Sequence, residues 1–413
     1  MITEPEEKRI IFFFPFRGYG GVPVVFLNIA KYLRNSSPSL NIAVVDYADG
    51  YMANNVGDSG VELIIFSRNE LLHFGEQDLV IFQSLPLWMI PKNLCFSANC
   101  KLFFWNLHPL NLLPYIQKID QFGLGFFKNW VLKYLRYVLM SQEIKTIRLL
   151  SDHKSITFMD SSNYNQTCQL QNVGYKTYLP LPVELKAGSS WIHSQLKDRE
   201  ILKLAWIGRI VDFKYHILIH LLGRLSLIQK SFHRTIEFYI VGDGALLSML
   251  KQKCSSFNIN IKFIDSVSRD DLPAFLTDID IGFAMGMSAL DFANHGVPTV
   301  SLDYSYKAIK HNYRFKWLNE RTEFNLAEDI TSAHVDVTTD SLQEIIHSVI
   351  NEKPKRVNES IEYVRKNHSL ASVSDRFLNL INVSSLRFMD IPTSLFKMGV
   401  LTKILGGKPG WRD

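Results

Sequence analysis

Short, continuously apolar runs recur along the first half of the chain, at residues 10–14, 42–47, 63–66, 79–82 and 102–105. They lack the apolar–polar alternation of a strand with one wet face, and runs of this kind suit strands covered on both faces of a parallel sheet. Between the first two, residues 22–34 place Val25, Phe26, Ile29, Ala30 and Leu33 at helical spacing. The pattern predicts a strand–helix–strand opening.

Residues 179–200 interrupt this alternation with Leu-Pro-Leu-Pro, Ala-Gly-Ser-Ser and Lys-Asp-Arg-Glu. It then restarts, with strands expected at 202–207, 236–241, 261–264, 279–285 and 298–302 and helices at 215–228, 245–253, 271–276 and from 288 to 294. Two further helical stretches lie at 340–351 and 361–386. The pattern predicts an α/β protein of two doubly wound, Rossmann-like domains, at 1–183 and 184–371, with 372–413 as a crossover helix and basic tail returning to the first. In such sheets ligands bind outside the carboxyl ends of the strands, and with two sheets the cleft between domains is the natural site.

The chain has 413 residues, enough for two cores. It is 47% hydrophobic and 21% charged, a globular balance that excludes a disordered or collagen-like chain. Its net charge of +5, from 45 basic and 40 acidic residues, is too small for a dedicated nucleic-acid binder. Cys95, Cys100, Cys168 and Cys254 form no C-x-x-C pair, so neither a zinc site nor a disulfide framework is indicated. The first residues do not read as a secretory signal, and no run approaches about 18 uncharged apolar residues. A cytoplasmic location is expected.

The chemistry then depends on the residues just past each strand. After the first comes Pro15-Phe16-Arg17-Gly18-Tyr19-Gly20-Gly21-Val22, where glycines let backbone N–H groups approach an anion at a helix start. The same residues would also serve as a plain tight turn. After the strand at 202–207 comes Gly208-Arg209-Ile210-Val211-Asp212-Phe213-Lys214. An arginine fork and a lysine point charge five residues apart can converge on one diphosphate. Ile240-Val241-Gly242-Asp243-Gly244 is ordinary turn chemistry when taken alone. In Gly286-Met287-Ser288-Ala289-Leu290-Asp291, Ser288 is expected to cap a helix facing a phosphate. Asp291, one turn in, is expected to accept from ribose hydroxyls. Asn294-His295-Gly296-Val297-Pro298 closes this stretch.

In this order, the glycine pair, G-R-x-x-x-x-K, V-G-D-G-x-L and S-A-L-D-x-x-x-x-G-V-P-T-V resemble the signature set of retaining glycosyltransferases of the GT-B fold, family 4 (the group 1 type). The resemblance covers most of the chain and is most specific between 200 and 303. It implies a first domain that binds the acceptor and a second that binds the donor. By similarity, Arg209 and Lys214 hold the donor diphosphate and Asp291 the ribose, while backbone near Gly20, Gly21, Met287, Ser288 and Ala289 contacts the phosphates. Gly208, Gly242 and Asp243 complete the implied donor set. The family often carries two glutamates eight residues apart at this motif. Here the second is Asp291 and the first is Phe283, which removes a carboxylate near the donor sugar. The resemblance also implies no metal, no cofactor and no protein nucleophile. The donor would be a nucleotide sugar, most simply UDP-linked, and its leaving phosphate would take the acceptor proton.

His108, in Trp105-Asn106-Leu107-His108-Pro109, comes after a buried strand and could donate to a sugar hydroxyl or relay a proton; a structural histidine is the alternative. Residues 101–150 carry Lys101, Lys118, Lys128, Lys133, Arg136, Lys145 and Arg148 against Asp120 and Glu143, interleaved with Phe122, Phe126, Phe127, Trp130, Tyr134 and Tyr137. Lys397, Lys403 and Lys408 repeat this more faintly near the end. Such stretches suit the surface of an anionic membrane, or the solvated side of an ordinary helix. On the first reading the protein would sit peripherally on the inner face of the cytoplasmic membrane. Its acceptor would be a saccharide or lipid-linked saccharide of a bacterial surface polysaccharide of O-antigen or capsule type. A nucleotide-sugar epimerase of the same architecture and a catalytically degenerate binding fold remain alternatives.

Overall fold

The computed structural model describes residues 8–112, 141–168, 175–185, 200–310, 312–330 and 341–398. Most of the basic aromatic stretch (113–140) and of the basic tail (399–413) lies outside the described residues. The chain divides into two compact units, Met1–Pro182 with Leu370–Asp413, and Val183–Ser369.

In unit 1, β1 (Arg9–Phe13), α1 (Gly21–Ser36), β2 (Asn41–Asp46), α2 (Tyr51–Asn55) and β3 (Glu62–Ile65) open the chain. After them come β4 (Leu72–Phe74), β5 (Leu79–Gln83), β6 (Leu94–Phe96), β7 (Lys101–Asn106), α3 (Ser141–Asp152), β8 (Ile156–Phe158) and α4 (Ser161–Cys168). Six strands form a sheet in the order β3-β2-β1-β5-β7-β8, with every pair parallel. The runs at 10–14, 42–47, 79–82 and 102–105 are inner strands covered on both faces: Ile10 and Phe12 pack with α1, and Ile11 and Phe13 join the cluster on the opposite face. The run at 63–66 is instead the edge strand β3, only partly buried, with Ile65 at the surface. The two-stranded β4-β6 sheet was not legible from the apolar pattern, since its strands are three residues long.

Unit 2 contains β9 (Ile201–Ile207), α5 (Asp212–Gln229), β10 (Thr235–Val241), α6 (Leu247–Cys254), β11 (Asn260–Ile264) and α7 (Leu272–Thr277). Then come β12 (Ile281–Ala284), α8 (Met287–Asn294), β13 (Thr299–Ser301), β14 (Lys316–Trp317) and α9 (Ser341–His368). The sheet order is β11-β10-β9-β12-β13-β14, parallel except for β14, a two-residue edge strand the sequence pattern did not predict. Strand order reverses between β1 and β5 in unit 1 and between β9 and β12 in unit 2. These are the positions where doubly wound sheets open a crevice for ligands.

The last helices differ from expectation. Instead of a break near 352–360, α9 runs to His368 through a kink at Glu352 (φ −134°, ψ 32°), just before Pro354. The kink restarts the helix, so Pro354 lies in a first turn where its missing N–H breaks no hydrogen bond. A separate helix, α10 (Leu370–Val383), returns to unit 1. There Val373, Phe377 and Ile381, spaced four apart, bury one stripe, and the Phe377 ring lies 5.6 Å from that of Phe12.

Cys100, Cys168 and Cys254 are buried, and Cys95 is half-buried. Burial pushes the thiols of Cys100 and Cys168 up to about 12, and that of Cys254 to about 11. Thiolate, the reactive form, is therefore scarce at these three positions. Ellman's reagent at pH 8 should label Cys95 alone in the folded protein and all four thiols in guanidinium chloride.

Candidate functional site

Four hydrogen bonds and two close approaches at glycine build the carboxyl end of the unit 2 sheet. Gly208 comes directly after β9; its N–H donates to Val241 O at 3.0 Å, and its carbonyl accepts from the buried Trp206 indole at 3.3 Å. Ile210 N–H donates to Asp243 O at 2.6 Å, and Leu246 N–H to Ile210 O at 3.2 Å. Gly242 has φ +136°, and a Cβ there would overlap the Gly208 carbonyl oxygen. Gly244, at φ +147°, meets the Ile210 carbonyl in the same way. The Val-Gly-Asp-Gly stretch thus braces the Gly208–Ile210 backbone, and Asp243 takes part through its carbonyl while its side chain is exposed.

This bracing sets up the cation pair. Lys214, in the first turn of α5, is half-buried with Nζ 5.9 Å from the Trp206 ring and 5.7 Å from that of Phe213. Its Nζ lies 3.4 Å from where a side chain on Gly208 would begin, so glycine leaves the ammonium its space. Desolvation, and then the Arg209 guanidinium, pull the Lys214 pKa below the ordinary lysine value. Arg209 itself is exposed. Among the described residues no carboxylate pairs with either cation.

The neighbouring strand brings up the second element. Phe283 of β12 pairs with Trp206 of β9, so the chain leaving β12 emerges beside the Gly208 loop. Two residues past the end of β12, Gly286 takes φ +65°, a left-handed turn that favours glycine, and α8 begins at Met287. Ser288 is not the cap that the sequence suggested. Gly286 holds that place, and no side chain caps the helix. Ala289 N–H donates to Gly286 O at 3.1 Å, leaving Met287 and Ser288 N–H at the head of α8. A Cβ on Gly282 would overlap the Phe292 ring, so glycine lets α8 lie close on the sheet. Asp291, half-buried one turn in, gives its carbonyl to His295. Phe283 is fully buried, 6.1 Å from the Phe238 ring; its position is part of the core.

Gly20, Gly21 and His108 belong to unit 1. Gly20 is extended (φ −159°) ahead of α1, and a Cβ on Gly21 would meet nothing within 4 Å. Sequence reasoning missed the residue that holds this turn. Asp46, fully buried at the end of β2, accepts N–H bonds from Phe16 at 2.7 Å, Tyr47 at 2.8 Å, Met52 at 2.7 Å and Ala53 at 3.3 Å. Desolvation raises its pKa, and these four donors oppose the rise. The available signal was an acid ending an apolar run with Gly50 four residues on, because a Cβ at Gly50 would overlap the carboxylate. His108 is exposed by area, yet desolvation of its ring still lowers its pKa. Its Nδ1 accepts Leu110 N–H at 3.2 Å, so in the neutral ring Nε2 carries the proton.

Of the basic aromatic stretch, α3 exposes Lys145 and Arg148 and buries Glu143, whose carboxyl is raised in pKa by desolvation beside Trp88. One of the two acids counted against the basic charge therefore lies off the surface. Gln142 Nε2 donates to Ser394 O at 3.0 Å, joining the start of α3 to the segment that precedes the tail. Among the described residues no group of three or more His, Cys, Asp or Glu side chains is placed to hold a metal ion. Among them, too, no helix is long and apolar enough to cross a membrane.

Gly242→Ala should lower the melting temperature, with about 1–3 kcal/mol of backbone strain to absorb in addition to the overlap. Gly21→Ala should leave it unchanged. Differential scanning calorimetry of the two variants checks both.

No family profile matches the sequence, and no curated protein does. Solved structures do. A glycosyltransferase from Rickettsia africae ESF-5 superposes with a TM-score of 0.53 at 11% identity, covering 92% of this chain and 99% of that one. The lipopolysaccharide outer core galactosyltransferase WaaB, in its apo form, gives 0.53 at 12% identity, covering 91% and 99%. At these identities the likeness speaks for architecture: this chain has the GT-B fold of two Rossmann-like units.

Proposed function

We propose that the chain is a retaining, metal-independent glycosyltransferase that moves a hexosyl or N-acetylhexosaminyl group from a nucleotide-diphosphate sugar, with UDP as the nucleotide, to a saccharide or lipid-linked saccharide. The observation that carries this reading is the cation pair Arg209–Lys214 at the strand-order reversal of unit 2, with no carboxylate paired to either among the described residues, and the start of α8, uncapped by a side chain, following the adjacent strand. An anion of two linked phosphates would satisfy both elements. Arg209 offers a fork, Lys214 a desolvated point charge, and the head of α8 supplies N–H groups.

On this reading the glycosidic bond to the diphosphate breaks as the two cations take up the negative charge gathering on the leaving group. The acceptor hydroxyl attacks on the same face, and its proton passes to the departing phosphate. Asp291 accepts from the ribose, and His108, with Nε2 protonated, donates to a sugar hydroxyl. The roles of Gly20, Gly21 and His108 toward the donor rest on the family pattern alone. The likeness to a lipopolysaccharide outer core galactosyltransferase supports a product in bacterial surface polysaccharide, and the exposed Lys145 and Arg148 of α3 support contact with an anionic membrane from the cytoplasmic side.

The test is a thermal-shift screen against nucleoside mono- and diphosphates and their sugars, since a ligand bound only by the folded state raises the melting temperature. UDP should give a shift that Arg209→Ala and Lys214→Ala abolish and that Asp291→Asn reduces. No shift with any nucleotide overturns the reading, and a shift unchanged in both cation variants overturns the phosphate assignment. Nucleotide release from a UDP-sugar that never depends on an acceptor would instead favour an epimerase.

The pH dependence has a definite sign. Diphosphate favours charged Lys214, so its affinity is full below the depressed pKa of the free protein and falls as pH rises through it. Titration calorimetry across alkaline pH should show this, and Lys214→Arg should flatten the profile. Truncation after Met398, which spares the packed Phe396, should reduce cosedimentation with phosphatidylglycerol vesicles.

A further inference from the structure

Beyond the carboxyl end of β13, unit 2 buries a charged cluster that the proposed chemistry does not use. Asp303 takes Arg321 Nη1 at 2.8 Å on one carboxylate oxygen and the Tyr313 hydroxyl at 2.7 Å on the other. All three side chains are buried. Arg321 Nη2 also donates to Ser301 O at 2.6 Å. For a buried ion pair, desolvation offsets most of the attraction, so the pair adds little net stability; what it supplies is a fixed geometry.

The geometry it fixes reaches both halves of the candidate donor site. On one side, Asp303 accepts Glu328 N–H at 2.8 Å, Tyr304 N–H donates to Glu328 O at 2.9 Å, and Ser301 Oγ donates to Leu326 O at 3.1 Å. The segment carrying Leu326 is thereby pinned across the end of β13. The Leu326 carbonyl in turn accepts Gly286 N–H at 3.4 Å, at the left-handed turn that starts α8. On the other side, Ser305 N–H donates to Phe213 O at 2.9 Å, and the Tyr304 ring lies 5.9 Å from that of Phe213. Phe213 immediately precedes Lys214.

We propose that Asp303, Arg321 and Tyr313 are positioning residues that hold the Gly286 turn and the Lys214 helix start in register for a diphosphate. The proposal rests on the donor site argued above. Tyr313→Phe is the cleanest probe, because the ring keeps its place 4.8 Å from that of Phe315 while the hydroxyl loses its bond to the Asp303 carboxylate and the one it accepts from Asp303 N–H at 3.1 Å. Ser301→Ala removes the Leu326 bond independently. Val349→Ala, in the core of α9, serves as a control for simple destabilisation.

Wild type and the three variants are titrated with inorganic pyrophosphate and with UDP by calorimetry, and their melting temperatures are recorded. Tyr313→Phe should weaken both probes about tenfold, the worth of one hydrogen bond to a charged group. Ser301→Ala should weaken them to a smaller extent, and Val349→Ala should lower the melting temperature with affinity unchanged. If Tyr313→Phe does not fold, Ser301→Ala decides. Affinities within twofold of wild type in both variants overturn the positioning role and leave the donor site standing. The same holds if Val349→Ala weakens binding as much as they do. A wild type that binds neither probe overturns the donor site and the positioning role together.

Discussion

The Gly208 carbonyl lies where a side chain on Gly242 would begin, so the loops leaving two neighbouring strands touch through backbone alone. That approach fixes the path of residues 208–210, and the path decides where the next two side chains go. With Gly208 held between the Trp206 indole and Gly242, Arg209 is carried to the surface, and Lys214 is drawn into the space that glycine leaves beside Trp206. The sheet register then sets the rest, because Phe283 beside Trp206 brings the chain leaving β12 out next to this loop. Three strand ends and two glycines account for the arrangement before any ligand is considered.

On their own, the two cations repel each other. Two like charges are held near each other, one of them partly desolvated, and the depressed pKa of Lys214 reflects both. A cation pair serving only stability would ordinarily draw a carboxylate, as Arg321 does with Asp303. Among the described residues this pair draws none, the arrangement expected if, as proposed, the anion comes from a ligand.

The parallel sheets were legible in the sequence because inner strands, covered on both faces, read as unbroken apolar runs. What the pattern could not give were features set by tertiary contact. The β4-β6 and β14 strands are too short to carry a period. The break between α9 and α10 sits at Ser369 because a kink absorbs Pro354. At the site, Gly242 and Gly244 look like generic turn glycines until the Gly208 and Ile210 carbonyls are seen against them. Ser288 looked like a cap because serine favours that position, yet the left-handed turn needed there selects Gly286. Asp46 went unnoticed because its partners are backbone N–H groups, which leave no mark in a side-chain motif.

The burial of Phe283 has its cause in the same geometry. Only Met285 and Gly286 separate β12 from α8, and Phe283 lies within the strand, paired with Trp206 and packed against Phe238. A carboxylate at that position would be buried among the apolar side chains of the sheet, and its desolvation would cost stability. With a connection this short, the polar groups standing beyond the strand are the head of α8 and the side chain of Ser288, and on the proposed function these would meet the donor sugar. The brace from Asp303 through Leu326 to Gly286 matters more as a result. A site that meets its ligand through main-chain N–H groups has no rotamer to adjust, and its fit depends on how firmly the turn itself is held.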